Sequence, residues 1–456
     1  MLKRSTLVVL VVAIALGAAV YYFDWKKGSE TKPVADKTKP AFSLQASDIV
    51  SFTVAHPAQA DDKPIKFQKQ GGNWHIVQPV DTQADQPSAD GIVDQLASAR
   101  VAQTEPGTPD RLKAYGLDPA QASIDFQLAG GAKHSVLLGN ADFTNEYVYG
   151  VLDGGQSVSL LPQLLSTSVA KSVDDLRDRS VLHVAPDQVS AVDLKNASGD
   201  LVLTKEQEQW KIQRPAAVLA SRQAVDALLQ AVSNAKTTSV ASETPDNLVR
   251  YGLASPAITL TLTESKGGKD TLVVGRKDGA VAAYFARDLS RPAIFRIDTD
   301  LEAQLTQKFS DLRDKQVLHA DMSTIQRIQI QDSSGSIALA RKAGDADEWV
   351  FDSPADRKGK PVSSWKVLDP LGNLQADEVI DHPSAAQLAE LSKPALGLTL
   401  TGKDGKPIEL RISKPAGDFA YAQAQGDTAL YKVKKSVFDQ LNVSAADLAV
   451  GDVSPN

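Results

Sequence analysis

WHIVQP (Trp74–Pro79) returns further along the chain as WKIQRP (Trp210–Pro215). The two stretches are offset by 136 residues. The same offset separates Tyr115 from Tyr251, Gly139 from Gly275, and Asp175–Asp178 from Asp311–Asp314. One offset shared by tryptophan, tyrosine, glycine and charged residues indicates a duplication rather than chance. A period of this length matches a whole domain, so the chain is predicted to be a tandem array of domains.

A third and more divergent copy follows the first two. It keeps a tryptophan at position 349, and its Asp447-Leu448 lies one further repeat beyond Asp311-Leu312. A chain of 456 residues is also expected to hold about three domains. We therefore predict three modules, the last of them degenerate, at residues 42–182, 183–318 and 319–456.

Each copy alternates short strand patterns with amphipathic helices. Ile49–Val54, for example, has the two-residue alternation of a half-buried strand. Thr108-Pro109-Asp110 and Thr244-Pro245-Asp246 each predict the start of a short helix, because they supply a capping hydroxyl, a first-turn proline and a carboxylate near the positive end of the dipole. Gly116 and Gly252 are placed to end these helices in the left-handed conformation. Hairpin-length turns between the strands predict an α+β fold with mainly antiparallel sheet.

An uncharged, apolar run of nineteen residues lies near the N-terminus, at 5–23. As a helix it would span about 28 Å, which is close to the hydrocarbon thickness of a bilayer. The sequence therefore predicts a cytoplasmic stub and a single transmembrane anchor at 1–25. A polar linker is predicted at 26–41, before the first module.

The charges that precede this run predict its orientation. Lys3 and Arg4 favour a cytoplasmic N-terminus, which places the bulk of the chain in the periplasm or another extracytoplasmic space. The expected location is the inner (cytoplasmic) membrane, crossed once. A cleaved signal peptide, with Gly17 and Ala19 as the small residues of the cleavage site, is the alternative.

The repeated motifs resemble those of a bacterial family, the domain of unknown function 4340. The resemblance rests on the two Trp-x-Ile-x-x-Pro stretches, on Tyr-Gly-Leu at 115–117 and 251–253, and on the Leu-Arg-Asp endings of the first two copies. The third copy departs from the pattern, with Ala389-Glu390-Leu391 and Leu448-Ala449-Val450 at the corresponding places. Members are typically membrane-anchored, and their genes often neighbour those of transporters driven by ATP hydrolysis. The resemblance implies an accessory role beside an envelope transport complex.

Composition excludes several functional classes. The 49 basic and 56 acidic residues give a formal net charge of −7, and there is no basic block, so nucleic-acid binding is not expected. The chain has no cysteine, which excludes disulfides, thiolate metal sites and a cysteine nucleophile. Known phosphate-loop, hydrolase and metalloprotease motifs do not occur.

Two histidines and one acidic group are candidate chemical sites. His183 and His319 share the repeat offset and could be a duplicated catalytic base, but no recognisable nucleophile or carboxylate accompanies them, which favours an inherited junction residue. Asp345, Asp347 and Glu348 resemble part of a cation site. No glycine and distal glutamate complete a calcium loop there, so a solvated hairpin turn is favoured.

The repeated aromatic and charged residues each allow two interpretations. A sugar-stacking platform is possible for the tryptophans, but their reuse in a strand of each copy favours a core anchor: Trp74, Trp210 and Trp349. Tyr115 and Tyr251 are expected to pack where the short helix ends. Asp175, Arg177 and Asp178, with their counterparts one repeat later, could bind a ligand, although a salt-linked helix end is favoured.

These patterns predict a membrane-anchored, extracytoplasmic structural or interaction protein rather than an enzyme. No catalytic, cofactor-binding or metal-binding residue is assigned, and no cofactor is expected. The predicted partners are the membrane and an envelope membrane protein, for which the resemblance suggests an ATP-driven transporter. A lipid- or glycan-binding periplasmic module is the alternative, and an enzyme of unknown type is a remote third.

Overall fold

Antiparallel β-sheet dominates the computed structural model, which describes residues 38–450. Strand accounts for 43% of it and helix for 22%, in four sheets. The predicted fold class, a transmembrane helix followed by three α+β modules, is therefore corrected to sheet-rich modules whose longest helices have 13 residues. Within residues 38–450 no helix is long and apolar enough to cross a membrane. The predicted anchor at 1–25 lies outside the described residues.

The first module consists of one nine-stranded sheet and a small two-stranded one. Its strands are β1 (Lys39–Pro40), β2 (Ile49–Ala55), β3 (Ile65–Gln70), β4 (Asn73–Gln78), β5 (Thr82–Gln83), β6 (Arg100–Val101), β7 (Gln103–Pro106), β8 (Ala122–Leu128), β9 (Lys133–Ala141), β10 (Tyr147–Leu152) and β11 (Ser157–Pro162). The large sheet has the order β5-β4-β3-β2-β8-β9-β10-β11-β7, and β1 pairs with β6. Strand pairing thus begins inside the predicted linker at 26–41.

Helices cover the two faces of this sheet unequally. The four helices of the module are α1 (Gln86–Ser98), α2 (Pro109–Ala114), α3 (Gln163–Val169) and α4 (Val173–Leu176). Ile92 and Leu96 of α1 join the main core together with Val136 and Leu138 of β9. Leu137 lies between Val136 and Leu138 and points to the opposite face of the sheet. There it packs with residues around α2 in a separate small cluster. The main core therefore lies under α1, α3 and α4, and α2 covers part of the opposite face.

The second module repeats this arrangement. Its strands are β12 (Val189–Asn196), β13 (Gly199–Glu206), β14 (Gln209–Arg214), β15 (Val218–Leu219), β16 (Ser239–Ser242), β17 (Ile258–Glu264), β18 (Lys269–Lys277), β19 (Ala283–Asp288) and β20 (Ile294–Asp298). Their order, β15-β14-β13-β12-β17-β18-β19-β20-β16, is that of the first sheet. The helices are α5 (Arg222–Asn234), α6 (Leu248–Tyr251), α7 (Thr299–Leu305) and α8 (Phe309–Leu312).

The third module keeps the same plan with eight strands. They are β21 (Ile325–Asp332), β22 (Ser336–Lys342), β23 (Asp345–Ser353), β24 (Glu378–Ile380), β25 (Leu396–Gly402), β26 (Pro407–Ile412), β27 (Phe419–Ala424) and β28 (Leu430–Lys434), in the order β23-β22-β21-β25-β26-β27-β28-β24. The helices are α9 (Trp365–Gly372), α10 (Ala385–Glu390), α11 (Lys435–Leu441) and α12 (Ala445–Leu448). Helix α9 is shorter than α1 and α5 and contains Pro370.

By internal contacts the chain forms two compact units, Met1–Ser180 and Val181–Asn456. The first unit holds one large sheet and the second holds two. Each large sheet has its own cluster of buried side chains, so each module has a core of its own.

The short helices confirm one predicted cap and correct another. Thr108 caps α2 as predicted, by accepting a hydrogen bond from the main-chain N–H of Arg111. In the second copy Asn247, not Thr244, caps the helix, because the chain takes a left-handed turn at Asn247 (φ 54°) and its side chain accepts from the N–H of Arg250. Thr244 instead donates its hydroxyl to Asp246 at 2.6 Å.

Candidate functional site

The repeated tryptophans are core residues and present no platform to a ligand. Trp74, Trp210 and Trp349 are only 1%, 3% and 4% exposed. The Trp74 indole N–H donates to Asp90 Oδ1 at 2.9 Å, so even its polar edge is occupied within the module. A cation covers the ring in the third copy, where the Arg341 guanidinium lies 5.0 Å from the Trp349 ring centroid.

Tyr-Gly-Leu attaches the short helix to the outer face of the sheet. Tyr115 stacks on Tyr149, with ring centroids 3.9 Å apart, and Tyr251 packs edge-on against Phe285 at 4.9 Å. The following glycines have left-handed backbones, with φ of 66° at Gly116 and 72° at Gly252, as the sequence predicted. These tyrosines therefore pack, and their motif has a structural explanation.

The Leu-Arg-Asp endings and their counterpart in the third copy, 176–178, 312–314 and 448–450, act as closing segments. Their leucines are fully buried: Leu176, Leu312 and Leu448. The main-chain N–H groups of Asp85, Ser221 and Ser363 donate to these leucine carbonyls at 2.8, 2.8 and 2.9 Å. Each closing segment thus ties the end of its module to the chain that enters the long helix. The third copy keeps this geometry although it has lost the arginine and the second aspartate.

The aspartate that directly precedes the closing segment is a helix cap. Asp175 accepts hydrogen bonds from both the hydroxyl and the main-chain N–H of Ser172, and Asp447 does the same with Ser444. These hydroxyl bonds hold the pKa of both carboxyl groups below the ordinary aspartate value. The carboxylates are therefore engaged locally rather than directed at a ligand.

The arginine of the motif is buried and joins modules two and three. Arg313, 8% exposed, forms an ion pair with Asp381 and lies 5.8 Å from the Phe309 ring centroid. Next to it the main chain of 315–317 pairs with that of 374–376. Arg177 of the first unit is also buried and pairs with Asp174 at 3.0 Å.

The two histidines that share the repeat offset each lie near an aspartate. His319 is half exposed, and its Nε2 lies 3.7 Å from a carboxylate oxygen of Asp314. His183 is close to Asp270, whose pKa is raised by burial and then partly lowered by the histidine. Residues 38–450 contain no group of three or more histidine, aspartate and glutamate side chains that could hold a metal ion.

The acidic group at 345–348 lies on a strand rather than in a turn. Asp345 is the first residue of β23, and the hairpin turn precedes it at Gly344 (φ 88°). Glu348 is bound by Lys342 across the hairpin at 2.5 Å, and the Asp345 carboxylate accepts from the N–H of Asp347. These contacts explain the acidic residues without a cation.

A further candidate site is an open polar pocket on the outer face of the first module, with a volume of about 560 Å³. It crosses the central strands β3, β2, β8 and β9, away from the main core. The strand register places Lys66, Thr53, Asp125 and Ser135 side by side, and Lys133 lies opposite Gln127 in the next row. The His134 ring, held by Asp153 at 3.0 Å, lies at its edge.

The sequence pattern does not predict this pocket. Its residues occupy the polar positions of alternating strands, and such positions usually mark a solvated sheet face. A pattern within one strand does not show which polar residues of other strands lie beside it. Strand order and register supply that information.

Two stretches of the chain, residues 74–217 and 210–394, match the family described as Domain of unknown function (DUF4340). The double match confirms the duplication seen in the sequence. Each matched stretch begins at the tryptophan of one module and continues into the next module, so it is out of phase with the folded sheets. No curated protein matches the chain.

Proposed function

The chain belongs to the DUF4340 family of domains of unknown function, and from that premise we propose that it is a structural or interaction protein of the cell envelope. In this proposal the chain is held at the cytoplasmic membrane with its modules outside the cytoplasm. Its partner is an envelope membrane protein, and the ATP-driven transporters suggested by the family resemblance are the first candidates.

The observation that supports the proposal is the structural role of the repeated residues. The tryptophan and the Tyr-Gly-Leu motif are used for packing and capping inside their own modules, and the closing segment pairs within its module and, through Arg313, with the next one. What has been duplicated is therefore a building unit rather than a reactive centre. Repeated units without a repeated chemical site suit a protein that extends a surface toward a partner.

Support for a membrane location comes from the amino-acid sequence. Residues 5–23 carry no charge and are preceded by Lys3 and Arg4. A protein that acts on a neighbouring membrane protein gains from being held there, because confinement raises the effective concentration of its surface near that partner. An enzyme or carrier of a diffusible molecule has no such need.

The lipid-binding alternative receives less support. The open pocket of the first module is lined mainly by charged and hydroxyl side chains, whereas a lipid site needs a deep apolar lining. We therefore do not adopt lipid binding as a second function.

The test is to release the chain from the membrane. Residues Met1–Trp25 are replaced by a cleavable secretion signal, and rescue of the envelope phenotype of a deletion strain is measured. We expect the released chain to be protease-resistant and yet to fail in rescue, because it is no longer concentrated beside its partner.

The control is the unaltered chain at matched abundance, which should rescue. A C-terminal reporter that is active only outside the cytoplasm should be active in both strains. Full rescue by the released form would contradict a tethered role, and an inactive reporter on the unaltered chain would contradict the location.

A further inference from the structure

The open pocket of the first module holds charged side chains that the fold does not use. Throughout residues 38–450, no side-chain hydrogen bond or ion pair links Lys66, Asp125 or Lys133 to another residue. This contrasts with His134 and Asp153 at the edge, which bind each other. Three charges facing one recess are therefore free to contact a ligand.

The charges follow a definite order across the sheet. Lys66 and Lys133 lie on β3 and β9, three strand spacings apart and offset by two residues, so their Cα atoms are about 16 Å apart. Asp125 lies between them, flanked in register by Thr53 and Ser135. A complementary ligand carries separated negative groups toward its ends and hydroxyl donors in its middle.

Three other classes of ligand fit this surface poorly. A peptide cannot add as a strand, because all four strands of the pocket are hydrogen-bonded on both edges. Lipid chains require an apolar lining, whereas the residues that line this pocket are polar or charged apart from Phe126. Nucleic acid carries closely spaced phosphates, which Asp125 and Asp153 would repel.

We propose that the pocket at Lys66, Asp125 and Lys133 binds an acidic oligosaccharide, with the two lysines contacting carboxylates and Asp125 accepting hydrogen bonds from sugar hydroxyls. Gln127, Ser51 and Thr53 add amide and hydroxyl groups suited to the same hydroxyl-rich ligand. This goes beyond the proposed structural role and is independent of where the chain is located.

The second module provides an internal comparison. At the positions equivalent by strand register, Val202 replaces Lys66 and Thr261 replaces Asp125, while Lys269 is retained in place of Lys133. The second sheet therefore keeps only one of the two lysines, and its carboxylate lies one strand away, at Asp193 in the place of Thr53. Without the second lysine it cannot hold a ligand at both ends, which makes Lys269 a matched control for Lys133.

The test is calorimetric titration of the purified full-length chain with hexagalacturonate at low salt. Maltohexaose and hexaglutamate serve as the neutral and the peptide comparison. We expect binding of hexagalacturonate that weakens as salt is added, and weaker binding of both comparison ligands. Lys66→Ala and Lys133→Ala should each weaken binding about fivefold, the loss typical of one exposed ion pair.

Lys269→Ala should leave the affinity unchanged, and the thermal unfolding of all three variants should match that of the parent chain, since these lysines make no hydrogen bonds or ion pairs within residues 38–450. The proposal is overturned if hexagalacturonate does not bind, if hexaglutamate binds as tightly, or if Lys269→Ala weakens binding as much as Lys133→Ala.

Discussion

Gly139 is placed so close to the end of α2 that no side chain fits there. A Cβ at this position would lie 2.1 Å from the carbonyl oxygen of Tyr115, and at Gly275 it would lie 2.2 Å from that of Tyr251. The glycine thus allows the short helix to rest on the sheet. The repeat offset marks the glycine as a shared position, but its close neighbour comes from another segment and is visible only in the fold.

Gly139→Ala should destabilise the first module by about 1–3 kcal/mol, the usual cost of forcing extra atoms into a packed site. Gly91, in the middle of α1, is the control, because a Cβ there meets nothing within 4 Å. Gly91→Ala should stabilise by about 0.5–1 kcal/mol through helix propensity. Urea unfolding of both variants checks the opposite signs, and a loss of stability in both would refute this account of Gly139.

At the scale of the helix, the sequence predicts where the short helices lie more accurately than it predicts which residues cap them. Thr108-Pro109-Asp110 and Thr244-Pro245-Asp246 look alike, yet only the first forms the predicted cap. The difference is a left-handed residue, Asn247, that shortens the second helix to Leu248–Tyr251. Asparagine tolerates this conformation better than most residues, but a local pattern does not show where the chain will use it.

Asn247→Ala should therefore destabilise the second module by about 1–2 kcal/mol, because it removes the capping side chain and places alanine at φ 54°. Thr244→Ala should cost only a few tenths of that, roughly the value of an exposed contact. Thermal unfolding of the two variants separates the predictions. A larger effect at Thr244 would restore the cap predicted from sequence.

At the scale of the whole molecule, the amphipathic patterns led us to expect more helix than the 22% that the described residues contain. The strongly periodic helices, α1 and α5, are the longest, and most of the other predicted helical stretches fold into only one or two turns. The candidate pocket could not be predicted, since its residues come from four strands that are far apart in the chain, from Ser51 to Ser135. Only pairing between distant strands brings them together.

The junction between modules two and three gives a prediction at this scale. Asp381→Asn removes the carboxylate partner of the buried Arg313 guanidinium and should destabilise by about 1–3 kcal/mol, since a buried charge loses its compensation. Asp352→Asn is the matched control, because its partners Arg327 and Lys358 are 54% and 68% exposed, and it should change stability by about 0.5 kcal/mol or less. Hydrogen exchange of the paired segments 315–317 and 374–376 should quicken only in the first variant. Equal exchange in both would argue against a junction role for Arg313.

The closing segments have a consequence for synthesis of the chain. The N–H of Asp85 finds its acceptor only at Leu176, and that of Ser221 only at Leu312, so neither module is closed until its own last turn has left the ribosome. The interval between these events is one full repeat, the stretch of chain from Leu176 to Leu312. At translation rates of about 5–20 residues per second, each finished module precedes the next by roughly 7–27 seconds. Folding of a single domain of this kind takes seconds or less, so each module folds before synthesis of the next one is complete. The strands of one module therefore pair with each other before the similar strands of its neighbour are available.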